Sequence, residues 1–300
     1  MNEKPIFGVY GYPKNFFSSE LGSRRENIFK WLFEHNLNAL ELDWTYGTFM
    51  NEKRANRYRE LASIYKIKLS LHAPKNIDFI SPNRNTQLFS LNQLKRALEQ
   101  ASKLSCSDLV VGLGLSNKEA DITALINRLT KEIGPIIKKY PQINIHFEPA
   151  LKINEFGSLE ELLLLCKKLH TYPYINLMNF HAYLGGTLIN REKIIHIFKQ
   201  VIASLGMEVL PKLMVSICPI AYQHGVICPK TFGEEHLGQL SLFDSNSTYY
   251  PKANDYIEAI LKLNIRPVTI SRTYQSEELG AMRLRDSYFF NELKQNNRVK

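Results

Sequence analysis

Four side chains in this sequence have the types of a metal or acid–base site: His72, Glu148, His181 and His236. Imidazole nitrogens and one carboxylate oxygen make up the ligand set of a catalytic zinc or manganese ion, with one position left for water. A water held there becomes a nucleophile near neutral pH, and Glu148 and His181 could handle protons in the same step. Taken singly, each of the four is more readily a satisfied polar residue in a barrel mouth. Their common placement at predicted strand ends brings the site reading level with that one. Glu41 and Asp43 share a strand face and could hold a proton between them, although a buried ion pair with a lysine or arginine accounts for them more simply. His146 stands two residues before Glu148, so it shares that face one layer deeper and reads as core-lining. His35, His170 and His196 fall on predicted helices and receive no role.

The elements that must position these residues alternate along the chain. Short β-rich runs are expected at 5–10, 38–43, 67–72, 108–113, 143–148, 174–179, 212–217 and 266–270. Helix-length segments separate them. Ser23 with Glu26, Ser90 with Gln93, and Ser158 with Glu161 each have capping-box spacing. Leu159, Leu162, Leu163 and Cys166 form one apolar stripe, and Ile257, Ile260 and Leu261 another. A last helix is expected from Glu277 to Asn297. The strands are apolar nearly throughout, as parallel strands covered on both faces require. Eight such units without a linker imply one domain over residues 1–300, a closed (β/α)8 TIM barrel. An open nucleotide-binding sheet is the rival, but Gly112-Leu113-Gly114 lacks the third glycine and the later acidic residue of that motif.

In such a barrel the chemistry gathers past the C-terminal ends of the strands. Reading those ends gives Glu41, Asp43, His72, Gly112, Glu148, Asn179, His181, Ser216, Ser271 and Arg272. Two connections are long, at 76–86 and at 218–250, and long loops in compact domains serve as lids or binding loops. The second carries His224 and His236. Lysine and arginine exceed aspartate and glutamate by nine, 38 against 29, with a pI near 9.2. That surplus permits a nucleic-acid partner, but the lysines are spread without a dense cluster, as on solvated helix faces. Cys106, Cys166, Cys218 and Cys228 form no CxxC pair; the first two read as buried thiols, and a bridge between Cys218 and Cys228 has little support in a reducing compartment. No apolar run is long enough to span a bilayer and no signal-peptide pattern opens the chain, so a cytoplasmic protein is expected.

KLSLHAPKNIDFISPN (68–83) resembles the endonuclease IV motif in which strand three ends in a metal-binding histidine, here His72. The segment at 41–67 is similar to the archaeal-type branch of that family. HFEPALKINEFGSLEEL (146–162) resembles the strand whose glutamate bridges metals, here Glu148. FHAYLGG (180–186) and EEHLG (234–238) resemble the segments that place His181 and His236. The likeness implies an endonuclease IV and xylose-isomerase-like barrel (AP endonuclease family 2).

It also breaks at informative positions. Gly112-Leu113-Gly114 stands where the family has a strand-four histidine, and Asn176 to Asn179 where strand six carries an aspartate and a histidine. Ser216 replaces the strand-seven histidine and Ser271 the strand-eight glutamate. A trinuclear zinc cluster is therefore not expected; the resemblance leaves at most one divalent ion, zinc or manganese, on His72, Glu148, His181 and His236. Three functions follow. One is phosphodiester hydrolysis at abasic sites in DNA with a reduced metal site. Another is isomerisation or epimerisation of a small sugar or sugar phosphate, with Glu148 as base and Lys75, Arg272 and His224 binding substrate. The third is a barrel that has lost its metals and binds a ligand without catalysis. Arg272, beside the missing glutamate, could take a phosphate or carboxylate where the family places a cation.

Overall fold

The structure is a computed structural model that describes residues 5–44, 50–118, 121–220, 222–223, 226–227, 249–272 and 277–298, with backbone alone at 222–223, 226–227 and 295–298. Eight parallel strands form the barrel: β1 (Ile6–Tyr10), β2 (Ala39–Asp43), β3 (Lys68–His72), β4 (Asp108–Gly112), β5 (Asn144–Glu148), β6 (Tyr172–Asn176), β7 (Met214–Ile217) and β8 (Val268–Ser271). Each pairs with its neighbours in chain order, and β8 returns to β1 to close the circle. The helices are α1 (Lys14–Phe17), α2 (Ile28–Glu34), α3 (Glu52–Ile64), α4 (Arg84–Lys103), α5 (Ile122–Ile137), α6 (Leu159–Leu169), α7 (Leu177–Tyr183), α8 (Arg191–Leu205), α9 (Ala253–Lys262) and α10 (Glu277–Arg298). Among the described residues no helix is long and apolar enough to cross a membrane.

Apolar side chains on the outward faces of the strands meet the helices in one large core. The barrel interior is different. A middle layer of Ala39, Val110, Tyr174, Met214, Val268 and Ile270 is apolar, with charged groups at both ends. At the N-terminal end of the strands, Asp108 is wholly buried and bonds Nε2 of His146 at 2.8 Å and Nζ of Lys68 at 3.1 Å. His146 is thus core-lining, as its position one layer below Glu148 implied. Burial pushes the Asp108 carboxyl up, but the His146 bond and the charges of His146 and Lys68 outweigh it and hold the group well below the usual carboxylate range.

Strand and helix starts differ from expectation in three places. β6 begins at Tyr172 and ends at Asn176, where Asn176 caps α7 by accepting from the Asn179 amide, so residues 177–179 are helix and not strand. The strand includes Pro173, which pairs opposite Phe147. Ser90 caps nothing. It lies inside α4, bonding the Thr86 carbonyl and the Asp78 amide, and Asn83 is the cap. Ser23 closes a short 3-10 turn ahead of α2. The Ser158–Glu161 box forms in full.

The long segment after β7 lies mostly outside the described residues, including His224, Cys228, Glu234, Glu235 and His236. Its two ends are joined: Ile220 and Tyr250 exchange both backbone hydrogen bonds, at 2.8 and 2.9 Å. Between them, Tyr222–Gln223 pairs antiparallel with Val226–Ile227. Cys106, Cys166 and Cys218 are buried free thiols.

Candidate functional site

β5 delivers Glu148 to the C-terminal mouth, and three other strands surround it with donors. From the end of β3, His72 places Nε2 3.2 Å from Oε2 of Glu148. From the end of β6, the Asn176 amide donates to Oε1 at 2.8 Å. Just past β8, Arg272 donates through Nη1 to the same Oε1 at 3.1 Å. The other arm of that guanidinium, Nη2, reaches Oε1 of Glu41 on β2 at 2.6 Å. Glu41 has no exposed surface, and its second oxygen accepts from the Tyr174 phenol at 2.9 Å. Glu41 is therefore a partner in a buried ion pair, as its position on β2 implied, while Asp43 faces solvent.

Arg272 is the centre of this arrangement. Its guanidinium carbon lies 4.3 Å from the Tyr10 ring centroid and 5.2 Å from that of Tyr174, within cation–π range of both. Burial opposes its charge, but the surrounding phenols and the carboxylates of Glu41 and Glu148 raise its pKa further above its already high value. Glu148 shows the complementary effect. Burial pushes its carboxyl up, yet the charges of Arg272 and His72 and the hydrogen bonds from His72 and Asn176 hold it well below the usual carboxylate range. His72 bonds the Ala73 carbonyl through Nδ1 at 2.8 Å. Both ring nitrogens thus face acceptors.

Above this floor lies a cavity of about 260 Å3. Its lining includes His72, Gly112, Glu148, Asn176, Asn179 and Arg272, with Leu113, Leu151, Phe156 and Met178 among its apolar walls. Lys75 stands exposed at the rim. Asn179 is fixed by donating to the Pro149 carbonyl at 2.8 Å. Gly112 leaves the space beside Glu148 open: a Cβ built there would meet nothing within 4 Å. The loops after β3, β4 and β5 lock this wall together, through Phe79 N to Leu113 O at 2.9 Å, Ser116 Oγ to Asp78 at 2.6 Å and Lys118 N to Asn154 O at 2.9 Å.

Of the expected site residues, the structure brings His72, Glu148, Arg272 and Lys75 to one cavity. His181 is buried on α7 outside the cavity lining, with its ring 6.1 Å from that of Tyr250. Burial lowers its pKa to about 4, so it is neutral at pH 7. His224 and His236 lie outside the described residues. Tyr10, Tyr174 and Asn176 join the site although none was among the expected site residues. The usable signal was their strand parity, since Tyr174 and Asn176 lie on the inward face of β6, two residues apart.

A divalent ion implied by the resemblance does not fit these residues as they stand. Both oxygens of Glu148 are engaged, Asn176 presents a donor where a carboxylate ligand would be needed, and a fixed positive charge already lies between Glu41 and Glu148. Among the described residues no group of three or more His, Cys, Asp or Glu side chains is arranged to hold a metal ion. Instead of an external phosphate or carboxylate, Arg272 binds two of the protein's own carboxylates.

Comparison with known proteins agrees with this architecture. The chain is 28% identical over 251 residues to the uncharacterized protein MJ0133 of Methanocaldococcus jannaschii, covering 81% of this chain and 84% of that protein. Among solved structures it superposes on endonuclease IV from Thermus thermophilus with a TM-score of 0.68 at 14% identity, covering 96% of this chain and 100% of the other. A D-tagatose 3-epimerase-like protein gives 0.66 at 17% identity, covering 98% and 100%. At such identities the two structures share the fold, and the fold alone carries no activity. The sequence itself matches the xylose isomerase-like TIM barrel family over residues 29–203, more than half of its 300 residues, and the chain belongs to that family.

Proposed function

We propose that the barrel mouth binds a small sugar-like molecule and does so without a divalent cation. The observation that carries this reading is the make-up of the cavity, in which Glu148, Asn176, Asn179 and Arg272 interleave acceptors with donors in a space of about 260 Å3. Hydroxyl groups donate and accept at once, so they match such a floor, while Leu113, Leu151, Phe156 and Met178 suit the C–H faces of a ring. Lys75 at the rim would hold a terminal phosphate or carboxylate. Glu148 is ionised at neutral pH and serves as an acceptor. With Arg272 against it the carboxylate has little proton affinity, which places binding ahead of proton abstraction as its role.

The second reading is phosphodiester hydrolysis at abasic sites in DNA. The formal net charge of +9 permits it, and the likeness to endonuclease IV supports it. It requires His181 and His236 to join His72 and Glu148 around one zinc or manganese ion.

Thermal-shift and calorimetric titrations with monosaccharides, sugar acids and sugar phosphates, run with chelator, separate the two. We expect saturable binding of at least one of these compounds, unchanged by chelator and abolished by Gly112→Leu, which fills the space beside Glu148. Absence of binding to every one of them, together with metal-dependent incision of abasic duplex DNA, would overturn the proposal.

A further inference from the structure

We infer that Arg272 is a built-in substitute for a divalent ion: its guanidinium is the cation between Glu41 and Glu148, with His72 on the other oxygen of Glu148, and it keeps metal out of the native protein. This rests on the metal-free reading of the mouth but concerns the cation position itself.

Three observations support it. First, two carboxylates from opposite sides of the barrel converge on one positive group, at 2.6 Å from Glu41 and 3.1 Å from Glu148. Without a cation they would face each other almost wholly buried, with side chains 0% and 15% exposed. Second, His72 is held as metal-ligating histidines are held. Its Nδ1–H donates to the Ala73 carbonyl, which fixes the ring and turns Nε2 toward Glu148. Third, Arg272 cannot be displaced by titration, because a guanidinium keeps its charge at every working pH, and Tyr10 and Tyr174 flank it.

The same job could be done by a small divalent ion, with metal–oxygen and metal–nitrogen bonds of about 2.0–2.2 Å. Those bonds are shorter than the present contacts, so the carboxylates would have to close inward. With arginine in place a metal must overcome a resident positive charge; with arginine removed, two buried carboxylates and a positioned imidazole are left in need of one.

The experiment is a zinc and manganese titration of tag-free wild type and of Arg272→Ser, read by calorimetry, by elemental analysis after desalting, and by thermal unfolding. Wild type should take up no ion at the mouth and show no metal-dependent shift. Arg272→Ser should bind about one equivalent and gain about 5 °C or more in Tm at saturating metal. Adding Glu148→Gln should remove the uptake. Because Arg272→Ser alone leaves two uncompensated carboxylates, Arg272→Ser with Glu41→Gln provides a folded control at unchanged net charge, expected to bind the same ions more weakly through His72 and Glu148. Stoichiometric metal in wild type that is lost in His72→Ala would overturn the proposal. So would metal-indifferent behaviour of both Arg272 variants once circular dichroism shows them folded. Neither result depends on whether any sugar binds, so failure here is distinguishable from failure of the small-molecule reading.

Discussion

Nη2 of Arg272 lies 2.6 Å from Oε1 of Glu41, a carboxylate without exposed surface, although the two are 231 residues apart in sequence. Removing one member of such a pair strands the other. Arg272→Met is therefore expected to lower the unfolding free energy by about 3–5 kcal/mol. Glu41→Leu added to it should restore part of the loss, because the stranded charge goes as well. Urea denaturation of the four proteins of the cycle reads the coupling; a coupling energy near zero would mean that the ion pair contributes nothing to the fold.

Two glycines, one ending β4 and one just past it, should respond differently. Gly114 has a φ of +135°, and a Cβ there would lie 2.0 Å from Oδ1 of Asp78 and 2.9 Å from its Cα. Gly114→Ala is expected to cost about 2 kcal/mol or more, from backbone strain plus the clash. Gly112→Ala meets nothing within 4 Å and should stay within about 0.5 kcal/mol of the parent. Equal losses in thermal unfolding would contradict the assignment of Gly112 to open space beside Glu148.

Acid should weaken the fold through Glu148 and Asp108. Both carboxyls are depressed in the folded state, so their contribution is complete above the unfolded values, near about 4.3 and 3.9. It is lost as pH falls below these toward the folded ones. Asp108→Asn and Glu148→Gln should each be less stable than the parent at pH 7 and lose less on going to pH 3. If denaturation at pH 7, 4 and 3 gives the parent's slope for Asp108→Asn, the His146 and Lys68 contacts are not what stabilises its charge.

Glu277 should act in the reverse sense. Burial, with a smaller contribution from the neighbouring Glu278 charge, raises its pKa to about 7. The folded chain then keeps a proton that the unfolded chain has already lost, so the stability this group contributes is full below about pH 4 and declines as pH rises to about 7. Glu277→Gln should flatten that decline and be more stable than the parent at pH 8. An unchanged difference between pH 5 and pH 8 would show that the carboxyl titrates as an exposed one.

Much of the framework was legible because barrel strands and their helices are local. Each strand is an apolar run of four or five residues that reads the same wherever it lies, and the Ser158–Glu161 cap depends on a span of four residues. Where locality failed, the sequence misled. Ser90 has capping-box spacing with Gln93, but its hydroxyl is used by Asp78, a residue of the preceding loop. The strand expected at 174–179 lies two to three residues earlier, at Tyr172–Asn176, because Asn176 caps α7. His181 follows β6 by five residues and looked like a mouth ligand, but α7 begins at Leu177 and carries it away from the cavity lining.

The inventory is written along the chain: eight strand–helix units, a histidine ending β3, a glutamate ending β5, a glycine ending β4 and an arginine just past β8. Which of these meet was decided by barrel closure and strand register, which bring β2, β3, β5, β6 and β8 to one axis. Whether Glu148 faces a metal, a substrate or a guanidinium is a matter of about an ångström between groups far apart along the chain. No local pattern encodes that distance. The closed sheet sets it, by fixing every strand's height and inward face at once.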